Sequence, residues 1–153
     1  MTKALSLLGI CKKAGFLEIG EESVSAAARL KKARVIFSAS DASDASKRHA
    51  RGYGETYGVP VAEIPLTKTE LAAVIGRGTP GMIAVTDAGL AFGIVSRLCE
   101  EDTEQYAQLA ERLQTKAERV LKRRREAAVR DKQKKLGKQE QRPTEKTKSK
   151  RRV

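Results

Sequence analysis

Tryptophan is absent from this 153-residue chain, aromatic residues make up 4% of it, and histidine occurs once. A platform that stacks single-stranded bases needs several exposed rings, so the scarcity argues against one and leaves an aliphatic core. Cysteine is also scarce. Cys11 and Cys99 fall on apolar faces of expected helices and read as free, buried thiols of a reducing compartment. No CxxC pair, HExxH motif or nucleophile elbow occurs, and the glycines from Gly52 to Gly58 lie in a helix-like stretch rather than after a strand. His49 stands near Arg48 and Arg51 on an expected solvent face, and Asp41, Asp44 and Asp87 read as helix caps. A non-enzymatic protein with no metal or cofactor is therefore expected. Long hydrophobic runs are missing too. Residues 4–11 are apolar-rich but too short to span a bilayer, and Lys12 and Lys13 follow at once, so a cytoplasmic protein is expected.

Positive charge is what the chain has in excess, and it is gathered at one end. Residues 112–153 hold eighteen Lys and Arg against five Asp and Glu, while residues 1–111 hold thirteen against fourteen, so the formal +12 divides into +13 and −1. The runs Lys122-Arg123-Arg124-Arg125, Lys132 to Lys138 and Lys146 to Arg152 give this arm sequence-independent attraction to a polyanion. Nucleic acid is the expected partner, ahead of an acidic protein or an anionic membrane.

Periodicity divides the chain into a folded domain over residues 1–102, a basic amphipathic helix over 103–136 and a disordered basic tail over 137–153. Within the first, Thr2 can cap a helix that Gly15 stops. A short extended piece ends at Gly20, and a second helix runs from about Glu21 to Lys31. Arg34 to Ala39 reads as a buried strand, followed by a helix capped within Ser40 to Ser43 and ended by Gly58. Val59 to Ile64 is a strand that Pro60 suits to an edge, Thr67 to Glu70 is a capping box, and Met82 to Val85 is the last strand before a helix capped by Asp87. Alternating strands and helices imply an α/β domain, a three-layer α-β-α sandwich. From Thr103 on, Tyr106, Leu109, Leu113, Ala117, Val120 and Leu121 recur at steps of three or four, with Glu118–Lys122 and Glu126–Arg130 as supporting pairs.

Two places offer binding chemistry. The turn Glu18-Ile19-Gly20-Glu21-Glu22-Ser23 opens a helix whose unpaired N–H groups can hold a phosphate or a base edge; equally, its acidic residues can simply cap that helix and complement its dipole. The loop Gly76-Arg77-Gly78-Thr79-Pro80-Gly81 allows close backbone approach to a ligand and offers a guanidinium fork, or is a plain tight connection.

Ala33 to Ser43, Tyr57-Gly58-Val59-Pro60-Val61 and Ile83-Ala84-Val85-Thr86-Asp87 resemble segments of the kink-turn-binding ribosomal protein family, the L-seven-Ae type. The nearest likeness is to its small bacterial YlxQ-like members. Leu7-Leu8-Gly9, Ala14-Gly15, Gly20-Glu21-Glu22 and Ile75-Gly76-Arg77 fit in the same order over about residues 3–99. The resemblance implies a mixed sheet within the sandwich and a ribosome-associated protein that recognises sharply bent RNA by shape. It implies RNA contacts on Gly20, Glu21, Glu22, Ser23 and Ala26, and on Arg77, Gly78, Thr79, Pro80, Gly81 and Met82. Where the strongest RNA binders of the family carry Asn-Glu, then two residues, then Lys, this chain has Glu22, Ser23 and Ala26. Weakened or altered recognition is expected, with Lys12, Lys13, Arg29, Lys31 and Lys32 as either further phosphate contacts or simply solvated surface, and Lys122 to Arg125 adding affinity from the arm. The alternatives are a protein adaptor in translation or transcription with a degenerate RNA site, or an accessory domain for RNA modification.

Overall fold

The computed structural model describes residues 2–76 and 78–152, with side chains described for residues 3–76 and 78–137. Its elements are α1 (Thr2–Ala14), β1 (Leu17–Ile19), α2 (Glu21–Arg29), β2 (Val35–Ala39), α3 (Asp44–Tyr57), β3 (Val61–Ile64), α4 (Lys68–Ile75), β4 (Met82–Val85), α5 (Ala88–Glu101) and α6 (Thr103–Arg152). Strand order is β1-β4-β2-β3; β2 and β3 are parallel, and β4 runs antiparallel to both β1 and β2. The sheet is mixed, with Pro60 leading into an edge strand as its missing N–H requires.

Alternation along the strands sends side chains to two separate cores. Val35, Phe37, Ala39, Ile83 and Val85 join Leu8, Cys11, Leu71, Ile75, Ile94 and Leu98 beneath α1, α4 and α5. Ile36, Met82 and Ala84 join Val24, Ala27, Ala28 and Ala50 beneath α2 and α3. Every residue of β2 and β4 is buried, as strands covered on both faces must be. This is the expected three-layer sandwich. Both thiols are free, Cys11 buried and Cys99 half-buried.

The ends of the helices show how the sequence sets their boundaries. Ser43 Oγ accepts from Ser46 N at 3.1 Å, Asp87 Oδ2 accepts from Leu90 N at 2.9 Å, and Thr67 and Glu70 close a reciprocal capping box. Asp41 does not cap α3. Its carboxylate reaches across to accept from Lys68 N at 2.7 Å, at the start of α4. Helix α2 stops at Arg29 rather than Lys31 because Lys31 turns left-handed, with φ 58°. Lys31 N then bonds Ala28 O and Lys32 N bonds Ala27 O, which satisfies the last carbonyls of the helix.

Compact packing continues to Ala117. Tyr106, Leu113 and Ala117 of α6 are buried, so the first turns of the basic helix belong to the folded unit rather than to a separate arm. From Glu118 on the chain forms a second unit, helical and exposed, with Leu121, Val129 and Leu136 open to solvent. Helix α6 is assigned through Arg152, past Gly137 and Pro143, where composition predicts a break near Leu136. Lys, Arg, Gln and Glu fill much of that stretch, and all four are strong helix formers.

Tyr106 anchors this arrangement: its hydroxyl donates to Glu63 O at 2.6 Å, satisfying an outward carbonyl of the edge strand β3. Burial, and then the charges of Asp102 and Glu63, push its phenol up to about 12 from an ordinary value of 10.0. A raised value means the fold holds the neutral phenol. Its contribution is complete below pH 10 and disappears as pH climbs towards 12. Tyr106→Phe should therefore lose about 1–2 kcal/mol at neutral pH, in urea unfolding, by stranding the Glu63 carbonyl. It should also show a shallower loss of stability between pH 10 and 12 than the parent.

Candidate nucleic-acid interface

The two candidate surfaces, sixty residues apart in the chain, meet at one end of the sheet. Ile19 pairs with Ile83, and the next main-chain bond, Gly20 N to Met82 O at 3.1 Å, carries β1 straight into α2 beside the entry to β4. Gly20 is the N-cap of α2, with φ 86° and ψ 163°, a conformation open almost solely to glycine. Having no side chain, it caps nothing, and no side-chain cap bond forms there. The N–H groups of Glu21, Glu22 and Ser23 precede the first helical bond, Val24 N to Gly20 O at 3.0 Å, and carry the positive end of the helix dipole. Capping by these residues, one of the two readings of this turn, is thus reduced to their effect on the dipole.

Beside that turn, Gly81 O accepts from Ala39 N at 2.9 Å, and a Cβ on Gly81 would meet Ser46 Oγ at 3.3 Å. The loop before β4 is pressed against the first turn of α3, so the starts of α2 and α3 flank it. Gly78 and Thr79 are exposed, while Pro80 is buried. Arg77 lies outside the described residues. Met82, expected among the contacts, has its side chain 1% exposed in the α2–α3 core. Its carbonyl holds Gly20 N.

Glu21 does not simply add negative charge to the surface. Its Oε1 lies 2.6 Å from His49 Nδ1 and accepts a 2.9 Å bond from the Tyr53 hydroxyl, so α3 grips the carboxylate. Burial first, then the bond and charge of Glu21, hold the Tyr53 phenol above its ordinary value. A shallow cleft of about 450 Å³ runs along α2 here, lined by Glu21, Glu22, Ser25, Ala26, Arg29 and Tyr53. Arg29 is thus brought into the candidate surface. Lys31 and Lys32 do not line the cleft; they follow the C-terminal end of α2, where the chain turns away at Lys31. Lys12 lies beside the first residue of the candidate loop: a Cβ on Gly76 would come within 3.3 Å of its Nζ, which places the charge at the negative end of α4. Lys122 to Arg125 are exposed on the second unit.

Sequence reasoning missed Ser25, His49 and Tyr53. Tyr53 shares helical spacing with Ala50 and Tyr57 and reads as a core position, and nothing local marks a hydrogen bond to a residue 32 positions away.

A mixed four-stranded sheet between helical layers, with a glycine-started helix and a glycine loop meeting at one end, defines the class of L-seven-Ae-type sandwiches. Comparison with known proteins agrees. RNA-binding protein YlxQ of Enterococcus faecium is 34% identical over 89 residues, covering 58% of this chain and 84% of that protein. A Bacillus halodurans protein of unknown function superposes with a TM-score of 0.58 at 29% identity, over 63% of this chain and 96% of that one. The Giardia lamblia 15.5kD RNA binding protein superposes with a TM-score of 0.52 at 17% identity, over 62% of this chain and 81% of that one, a likeness of fold. No family model matches the chain. The chain belongs to the YlxQ-like family within this class.

The backbone at Gly20 yields a direct test. Around Gly20 and around Gly52 of α3 nothing lies within 4 Å of an added Cβ, but only Gly20 has positive φ. Gly20→Ala should cost about 1–3 kcal/mol through backbone strain alone. Gly52→Ala should stabilise by about 0.5–1 kcal/mol through helix propensity. Denaturant midpoints of the two variants, which differ in sign, check this.

Proposed function

We propose that this protein binds structured RNA, using the end of the sheet where α2 begins and the α4–β4 loop arrives, and that its preferred target is a sharply bent, kink-turn-like element of ribosomal or related RNA. The observation that carries the reading is the uncapped start of α2, tied by Gly20 N to Met82 O beside an exposed glycine loop. Free N–H donors at a helix N-terminus suit phosphate or a base edge, and a loop pressed close by supplies a second wall. The names of the Enterococcus and Giardia relatives, both RNA-binding, support the partner class.

Electrostatics divides the work. Residues 1–111 are nearly neutral overall, so discrimination falls to shape and short-range hydrogen bonds. The exposed cations of the second unit, Lys122 to Arg125 among them, supply attraction that ignores sequence. The acidic departure from the family pattern puts two exposed carboxylates at the turn, of which Glu21 is held by His49 and Tyr53 of α3.

Filter binding of a kink-turn hairpin and of a straight hairpin of equal length, across 50–200 mM salt, tests this. The parent should prefer the kinked RNA. Replacing Lys122, Arg123, Arg124 and Arg125 together by Gln should weaken both RNAs and flatten the log–log salt slope by about three to four, leaving the preference intact. Equal binding of kinked and straight hairpins by the parent would refute the recognition surface. Removal of the arm as a whole must start at Glu118, because Leu113 and Ala117 are core.

A further inference from the structure

We propose that the seam between α3, the entry to β3 and α6 is a second RNA contact, a seat for the phosphate backbone of the duplex that flanks the bent target. The inference rests on the RNA-binding reading above and extends it to the opposite edge of the sheet. A cleft of about 330 Å³ lies there, lined by Arg51, Gly54 and Glu55 of α3, Val59, Pro60 and Val61, and Arg112 of α6. Arg51 and Arg112 are both exposed, and among the described residues neither guanidinium has an ion pair or hydrogen bond. Two cations face one carboxylate, Glu55, so the cleft is net positive within a folded unit that is otherwise close to neutral.

The cleft is built by the fold rather than left by loose side chains. At Gly54 a Cβ would collide with the Val61 side chain and come within 2.7 Å of Val59 O, so glycine is what lets α3 close on the start of β3. Val59 N bonds Gly54 O at 3.0 Å and fixes the approach. Arg51, one turn earlier on α3, is thereby held above buried Val59 and Pro60, with Arg48 exposed a further turn back. On the other side, the Tyr106–Glu63 bond fixes α6 against the same strand, two turns before Arg112.

The position selects phosphate as the ligand. The strand order places this edge three strand spacings from β1, which leads into α2, and the cleft lies at the start of β3, about three residues back along the strand direction from the level of Gly20. About 14 Å across and about 10 Å along the strands put it roughly 18 Å from the start of α2. At roughly 3 Å per base pair that distance is about six base pairs of duplex. An RNA seated at the start of α2 and running diagonally across the sheet therefore brings a flanking stem over the cleft once the stem exceeds about six pairs. Two planar guanidinium forks match successive or cross-groove phosphates, which a lone lysine would not orient.

The test uses the full chain and its double variant Arg51→Gln, Arg112→Gln, with kinked and straight hairpins carrying stems of ten or three base pairs. The parent should bind the longer stem more tightly. The double variant should lose that gain, bind the ten-pair hairpin roughly tenfold more weakly at 0.1 M salt, and show a salt slope lower by about two. Arg97→Gln, which removes a charge from α5, should retain the stem-length gain, and circular dichroism should match the parent for all variants. A double variant that keeps both the gain and the slope overturns the proposal. So does an acidic peptide that binds the parent but not the double variant while RNA affinity is unchanged. Equal binding of kinked and straight hairpins, with the stem-length gain still lost in the double variant, would strike the kink-turn reading and leave this one standing.

Discussion

Strand β4 is the constraint on which the architecture turns. It is only four residues long, yet it pairs with β1 on one side and β2 on the other, antiparallel to both. Its alternating side chains contribute to both cores: Ile83 and Val85 to one, Met82 and Ala84 to the other. Its first carbonyl receives Gly20 N and thereby fixes where α2 starts. The position of that helix relative to the glycine loop is consequently decided by main-chain hydrogen bonds, which change little with side-chain identity. A surface made this way can keep its shape while its exposed residues change, consistent with a chain that has Glu22, Ser23 and Ala26 where the strongest family binders have Asn, Glu and Lys.

Much of the fold was legible because local signals agreed with one another. The capping box at Thr67, the cap at Asp87 and the stops at Gly15 and Gly58 mark boundaries through short-range bonds that depend on neighbouring residues alone. Burial of β2 on both faces was legible from its run of apolar residues. What escaped was long-range. Asp41 looks like a cap for the helix that follows it but serves α4, 27 positions on. Lys31 adopts a left-handed conformation that lysine does not advertise, and α2 ends two residues early as a result. At the candidate interface, the turn at Gly20 and the loop before β4 were visible as glycine patterns. The grip of His49 and Tyr53 on Glu21 was not, because it depends on how α3 packs on α2.

The early turns of α6 also stand apart from the charge pattern that surrounds them. Composition shifts gradually towards Lys and Arg, whereas packing stops abruptly after Ala117. Tyr106 explains the difference: one buried ring with a satisfied hydroxyl ties the helix to edge strand β3 and covers a carbonyl that would otherwise be open to pairing. Edge protection and attachment of the basic helix are thus a single interaction, and the helix cannot detach as a whole without exposing the sheet.

That boundary has a consequence for the life of the chain in a cell. A trypsin-like protease finds exposed Lys and Arg throughout Lys122 to Arg125, just beyond the last packed residue. An incision after Lys122 would release a fragment of formal +10 and leave a sandwich of only +2 with its core untouched. The trimmed product would keep its fold while losing its hold on bulk polyanions, so proteolytic maturation could retune affinity without any cost to folding.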